Sequence, residues 1–201
     1  NIRNTGTSSG QKWRIYEGNT GPLLVSYLTA LSGTIDNTPI SKVYDGNAQI
    51  QGTINWATTP TSSLVLGTPT ITVTSKNVGT YSSGSTIAEV YSSQLGYDFT
   101  VTGTIPTVSI TKADLTVSGA SASNKTYDAL VSASVTGGNI TALLSDVVTL
   151  SDANATFADK NVANGKAVTT HYTISGTDAG NYNLIQQSGI TANISNNSKL
   201  V

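Results

Sequence analysis

The chain has 201 residues, of which only 10% are charged, and its formal net charge is -1. That balance gives no electrostatic reason to expect nucleic acid or an anionic membrane surface as a partner. The absence of cysteine excludes disulfides, thiol catalysis and cysteine-ligated zinc together.

Ser, Thr, Asn and Gly replace the missing charged residues. Thr and Val favour strands while Ser, Asn and Gly favour turns, so the bias is toward β structure. Residues 1–12 are polar and read as a lead-in segment. Trp13-Arg14-Ile15-Tyr16 alternates and reads as a first strand, and Gly21-Pro22 makes a turn. Leu23 to Leu31 is apolar enough for a buried strand or one short helix. Asp36-Asn37-Thr38-Pro39 is a further turn. Thr70 to Thr74 alternates as a strand with one wet face, and Tyr97, Phe99, Val101, Gly103 and Ile105 share one face of another. Val108 and Ile110 close this part, and Thr111-Lys112-Ala113-Asp114 is a tight junction.

Beyond it, strands are expected near 115–119, 131–136, 147–150, 154–158, 166–175, 181–187 and 190–194. In the clearest of them Val168, Thr170, Tyr172 and Ile174 face in, while Thr169, His171, Thr173 and Ser175 face out. Turns are expected at Gly137-Gly138, Asn164-Gly165 and Ser188-Gly189. Ile140 to Leu144 has room for one helical turn at most. No apolar run approaches the ~20 residues of a membrane span. No basic and apolar leader follows Asn1, so the chain reads as a mature piece of a longer protein.

The chain uses one stretch twice. Ser41-Lys42-Val43-Tyr44-Asp45-Gly46 is echoed by Asn124-Lys125-Thr126-Tyr127-Asp128-Ala129. Lys76-Asn77-Val78-Gly79 is echoed by Lys160-Asn161-Val162-Ala163, and Gly96-Tyr97-Asp98-Phe99 by Gly180-Asn181-Tyr182-Asn183-Leu184. The offsets are about 83 to 85 residues, too long for a solenoid repeat. Each copy is therefore a small domain: 13–113 and 114–195, with a lead-in at 1–12 and a tail at 196–201. Short strands at this spacing predict an all-β protein of two tandem immunoglobulin-like antiparallel β-sandwich domains. The alternative is a β-grasp-like fold, which needs a helix across the sheet. Asp178-Ala179-Gly180-Asn181-Tyr182 leads into the penultimate strand, where immunoglobulin-like sandwiches place a tyrosine corner; Tyr97 is its counterpart. Ala129 replaces the Gly of Tyr-Asp-Gly, which predicts a second turn without positive φ.

Three pieces carry a resemblance: Lys125-Thr126-Tyr127-Asp128, Ala155 to Val162, and Asp178 to Leu184. Together they resemble the YDG-type repeat domain of bacterial surface exoproteins. Leu23 to Thr29, Lys42 to Gly46 and Gln94 to Phe99 resemble its companion repeat type. Trp13 to Tyr16 resembles the segment that follows the β-helix of filamentous-haemagglutinin-like proteins. The resemblance covers about residues 13 to 195. It implies a large Gram-negative exoprotein exported by two-partner secretion or a related route, with adhesion, biofilm formation or surface display as its role. It carries over no catalytic residue.

Tyr44-Asp45 and Tyr127-Asp128 have the chemistry of a glycan-binding pair, but recurrence in both copies favours a structural role, with Tyr packing and Asp capping the turn. Trp56, Tyr81 and Tyr91 are candidate ligand-binding aromatics. His171 is the single histidine, which excludes a repeated Ser-His-Asp triad and a multi-histidine metal site. No cofactor is expected. Asp146, Asp152, Asp159 and Asp178 are the candidates for calcium, and their scatter favours turn capping. A Lys–Asn isopeptide crosslink would need a nearby acid; the two glutamates, Glu17 and Glu89, are both in the first copy, so the second would have to use an Asp.

The chain is expected to be no enzyme but the spacer and surface-contact region of a secreted, surface-located adhesin. A carbohydrate-binding module and a fibre subunit adding a strand from 1–12 or 195–201 are the alternatives. Neighbouring repeat domains, host or matrix glycans or proteins, and copies of itself are the expected partners.

Overall fold

The computed structural model of the chain describes residues 13–16, 18–82, 84–88, 90–151 and 154–197. It is all-β. Among the described residues the helical elements are three 3-10 turns at Val25–Tyr27, Ser62–Leu64 and Ala179–Asn181, so the helix that a β-grasp requires is not found there. The chain divides into two compact units, one of Asn1–Lys42 with Asn47–Thr111, the other of Lys112–Val201 with Val43–Gly46. The turn of the first Lys-x-Tyr-Asp stretch thus counts with the second unit.

The strands of the first unit are β1 (Trp13–Arg14), β2 (Leu23–Leu24), β3 (Thr29–Ile35), β4 (Ile40–Val43), β5 (Gln49–Gln51), β6 (Ile54–Trp56), β7 (Thr70–Val73), β8 (Gly79–Tyr81), β9 (Gly84–Ala88), β10 (Tyr97–Thr102) and β11 (Val108–Thr111). They form sheets in the orders β10-β3-β6, β4-β11-β8 and β5-β7-β9, with β1 and β2 as a separate pair. Leu23 to Leu31 is neither one strand nor a helix: β2 and β3 flank a 3-10 turn there. The core holds Tyr16, Leu31, Ile54, Ile71, Val73, Val90, Phe99, Val108 and Ile110. Each fully buried large side chain contributes about 1.5–3 kcal/mol.

The second unit has β12 (Ala113–Thr116), β13 (Ser121–Ala122), β14 (Lys125–Thr126), β15 (Ser132–Ala133), β16 (Val135–Thr136), β17 (Thr149–Leu150), β18 (Asn154–Phe157), β19 (Ala163–His171), β20 (Ile174–Ser175), β21 (Tyr182–Ile185) and β22 (Thr191–Ser195). The main sheet runs β14-β22-β19-β18-β15, with pairs β12-β21, β13-β16 and β17-β20 beside it. Val117, Ala155, Phe157, Val168, Tyr172, Ile190, Ala192 and Ile194 form its core. Val168, Thr170 and Tyr172 are buried while Thr169, His171, Thr173 and Ser175 are exposed, as their alternation requires; Ile174 is half-buried.

The pairing is mixed rather than wholly antiparallel. β3 runs parallel to β10, with Thr29 opposite Tyr97 and Thr34 opposite Thr102. In the second unit β12 runs parallel to β21, and β14 to β22. Parallel neighbours need a long crossover. Here it is most of a unit: Asp114 and Asn183, opposed and hydrogen-bonded, stand 69 residues apart. The Asn164-Gly165 turn is also displaced. Both residues lie inside β19, where the register shifts between Ala163 and Lys166 and Gly165 takes φ +62°. A bulge there absorbs the turn-forming residues. Ile140 to Leu144 forms no helical turn; Leu144 instead takes φ +48°.

Candidate functional site: the repeated Lys-x-Tyr-Asp turn

The two copies of the motif share a contact that the tyrosine and aspartate do not make. Lys42 Nζ donates to the carbonyls of Asn47 at 2.7 Å and Gln49 at 2.9 Å. Lys125 Nζ donates to those of Leu130 at 2.7 Å and Ser132 at 2.9 Å. In each copy the acceptors lie five and seven residues on. The ammonium therefore clasps the loop that leads from the motif into the next strand. Lys125 spends its third donor on Asp128 Oδ1, at 2.8 Å, so all three N–H groups are used. Asp128 Oδ1 also accepts the Leu130 N–H. Lys125 and that N–H hold the Asp128 carboxyl below its ordinary range. The lysine was legible as a shared letter of both copies, but its acceptors are backbone atoms, which no residue pattern displays.

Ala129 does take a positive φ, of +65°, close to the +80° of Gly46 at the same place in the first copy. The expectation of an ordinary φ there is corrected. The Lys125 and Asp128 bonds over-determine the turn and force the left-handed conformation at a cost of about 1–2 kcal/mol for a residue with a Cβ.

The two motif tyrosines have different surroundings. Tyr44 is 2% exposed, while Tyr127 is 36% exposed. Within the second unit the Tyr44 hydroxyl donates to Asp146 Oδ2 at 2.7 Å, and the Tyr182 hydroxyl donates to the same oxygen at 2.7 Å. The rings meet edge to face at 5.6 Å. Tyr182 also accepts the backbone N–H of Leu143 at 2.9 Å. Burial, then the bond to the Asp146 carboxylate, pushes the Tyr182 hydroxyl up to about 12.

Tyr182 and Tyr97 each begin the penultimate strand of their unit, as expected. The tie they make is longer than a tyrosine corner's, which reaches only a few residues upstream. Tyr97 Oη accepts the Thr61 N–H, 36 residues back, as Tyr182 Oη accepts that of Leu143, 39 residues back. That donated bond holds the Tyr97 hydroxyl below its ordinary value. Gly180 lies in the 3-10 turn that delivers Tyr182. Asp178 caps the neighbouring loop, accepting the Val147 N–H at 2.8 Å. Ser92, which the sequence reading passed over, is fully buried. Its Oγ donates to Leu64 O at 2.6 Å and accepts the Tyr97 N–H at 2.9 Å.

The candidate aromatics are dispersed. Trp56 is half-buried on β6, its ring 5.0 Å from that of Phe99. It borders a cleft of about 410 Å³ lined also by Ser32, Thr34, Asn55, Thr100 and Thr102. Tyr81 lies on β8, its hydroxyl bonded to Asn77 O at 2.6 Å, and Tyr91 is bridged to Leu66. His171 is exposed on β19, opposite Asn154.

Of the calcium candidates, Asp146 accepts the two tyrosine hydroxyls, Asp178 caps Val147, and Asp159 accepts the Lys166 ammonium and the Asn161 N–H. Lys166 in turn holds the Asp159 carboxyl below its usual range. Asp152, Glu17, Glu89, residues 1–12 and residues 198–201 lie outside the described residues. Among the described residues no three His, Cys, Asp or Glu side chains cluster as a metal site would need. No helix among them is long and apolar enough to cross a membrane.

The chain is thus an all-β protein of two compact units in which the Lys-x-Tyr-Asp motif occurs twice. Residues 111–191 match the model of the YDG domain, which supports that domain family for the second unit. No curated protein and no solved structure matches the chain.

Proposed function

We propose that the chain is a structural tandem-repeat region of a large secreted bacterial adhesin, acting as spacer and surface-contact module, with no catalysis of its own. The observation that carries this reading is where the motif's polar atoms go. The ammonium groups of Lys42 and Lys125, the Asp128 carboxylate and the hydroxyls of Tyr44, Tyr97 and Tyr182 all bind within the fold. These atoms thus hold the chain's own loops rather than offer themselves to a ligand. The YDG match over residues 111–191 supports a repeat-domain role for the second unit, and the resemblance of the wider chain to filamentous-haemagglutinin-like exoproteins is what favours a cell-surface setting.

A second reading is a carbohydrate-binding module in the first unit. The Trp56 cleft supports it, because an aromatic ring beside hydroxyl and amide side chains is the chemistry that sugars require. A glycan array and a panel of matrix proteins, probed with the chain and with Trp56→Ala, separate the two. A spacer shows no saturable glycan binding. Saturable binding that disappears in Trp56→Ala would overturn the spacer reading for this unit.

A further inference from the structure

We infer that the Tyr127 turn is a docking surface for a further YDG-type unit, placed after this one, that presents a buried tyrosine–aspartate pair. The inference rests on the tandem-repeat reading and names the partner it implies.

The two Lys-x-Tyr-Asp turns are built alike. The same lysine clasp spans the same positions, and Gly46 and Ala129 share a left-handed backbone. Their surroundings differ in one respect. The second unit takes as its own the turn of the preceding copy, Val43–Gly46. Its Tyr182 and Asp146 receive the Tyr44 ring and hydroxyl. Among the described residues its own turn has no such receiver. Tyr127 is 36% exposed, Leu130 and Val131 beside it are 59% and 43% exposed, and the Tyr127 hydroxyl makes no hydrogen bond among the described residues. A half-exposed aromatic flanked by apolar side chains fits a partner that buries the ring and supplies a hydrogen-bond acceptor.

The partner's chemistry follows from the receiver already present. It needs a tyrosine at the start of the penultimate strand and a carboxylate in the loop that caps that tyrosine. Only the second type of unit has both. The loop that caps Tyr97 reads Thr61-Ser62-Ser63-Leu64-Val65-Leu66-Gly67, without an acid. A second copy of this chain is a poor partner, because its receiver is filled by its own Tyr44. One difference bears on fit. A Cβ at Gly46 would come within 2.6 Å of Leu144 Cδ1, so Ala129 obliges the equivalent leucine tip of the partner to shift.

The test extends the chain by appending a second copy of residues 112–201 after Ser195, with Tyr127→Phe in the appended copy so that one Tyr127 reports. Nitration of Tyr127 by tetranitromethane, followed by peptide mass, should slow about tenfold against the unextended chain. The rate should return when the appended copy also carries Asp146→Ala. An unchanged rate with the appended copy folded overturns the inference. A second measurement needs no added unit. Tyr44→Ala empties the receiver, so that variant should self-associate at high concentration in sedimentation, while Tyr44→Ala with Tyr127→Ala stays monomeric. A monomeric Tyr44→Ala chain, or association that survives in the double variant, counts against the docking turn. Failure of either test leaves the spacer reading standing, since the glycan and matrix panel judges it separately.

Discussion

The Lys125 ammonium lies 5.5 Å from the centre of the Phe157 ring, with its three N–H groups bound to Asp128, Leu130 and Ser132. Phe157 is a core residue of the second unit, so the clasp joins the motif loop to the core through a cation over an aromatic face. Charge-assisted bonds to carbonyls are worth more than neutral ones, and the ring adds about 0.5–1 kcal/mol. Lys125→Met, which keeps the stem, should destabilise the chain by about 2 kcal/mol as read from urea unfolding. Lys125→Arg should rescue only part of this, because a planar fork does not reproduce three diverging donors.

The backbone at Ala129 and Gly46 predicts opposite outcomes for reciprocal substitutions. Ala129→Gly relieves a left-handed alanine and should stabilise the chain by about 0.5–1 kcal/mol after the entropy lost by glycine. Gly46→Ala adds both φ strain and the Leu144 contact at 2.6 Å, and should cost about 1–2 kcal/mol. Thermal melts of both variants check the pair.

Tyr182 makes stability sensitive to alkali. Its hydroxyl titrates near 12 in the folded chain against an ordinary value of 10, so the folded state holds that proton more tightly than the unfolded state. The contribution is complete below pH 10 and declines as pH rises from 10 toward 12. Burial also raises Tyr16, so the comparison with Tyr182→Phe isolates the effect. The stability difference between the chain and that variant should shrink from pH 9 to pH 11 in urea unfolding.

Gly96 is required for space. A Cβ there would lie 1.9 Å from Ser92 Oγ and 3.1 Å from Ser93 O. Ser92 cannot swing away without breaking its bonds to Leu64 and Tyr97. Gly96→Ala should cost more than about 2 kcal/mol, and Ser92→Ala alone about 1–2 kcal/mol. The double variant should be less destabilised than the sum of the two, since removing the hydroxyl removes the clash.

Local periodicity made some of this legible. Val168, Thr170 and Tyr172 alternate inward because a half-buried strand imposes a period of two, and Tyr97 and Tyr182 mark penultimate strands because the repeat aligns them. What stayed hidden depends on atoms that side-chain identity does not report. The acceptors of Lys42 and Lys125 are carbonyls, the Ser92 bonds are to backbone, and the bulge at Gly165 replaces a turn that the same residues would equally form. The parallel pairing of Ala113 with Tyr182 joins residues too far apart for any local pattern. Ala129 misled because the clasp around it, rather than its own preference, decides its φ.

That parallel pairing has a consequence under load. In the second unit the first strand, β12, is held parallel to β21, and the last, β22, is held parallel to β14. A pull on the two ends of the unit draws the partners of each pair lengthwise past one another. Their hydrogen bonds then bear the force together instead of opening one after another as in a peeled hairpin. A unit joined this way is expected to yield at a higher force than one whose end strands are paired antiparallel with equal stability, with the resistance shared between its first and last strands.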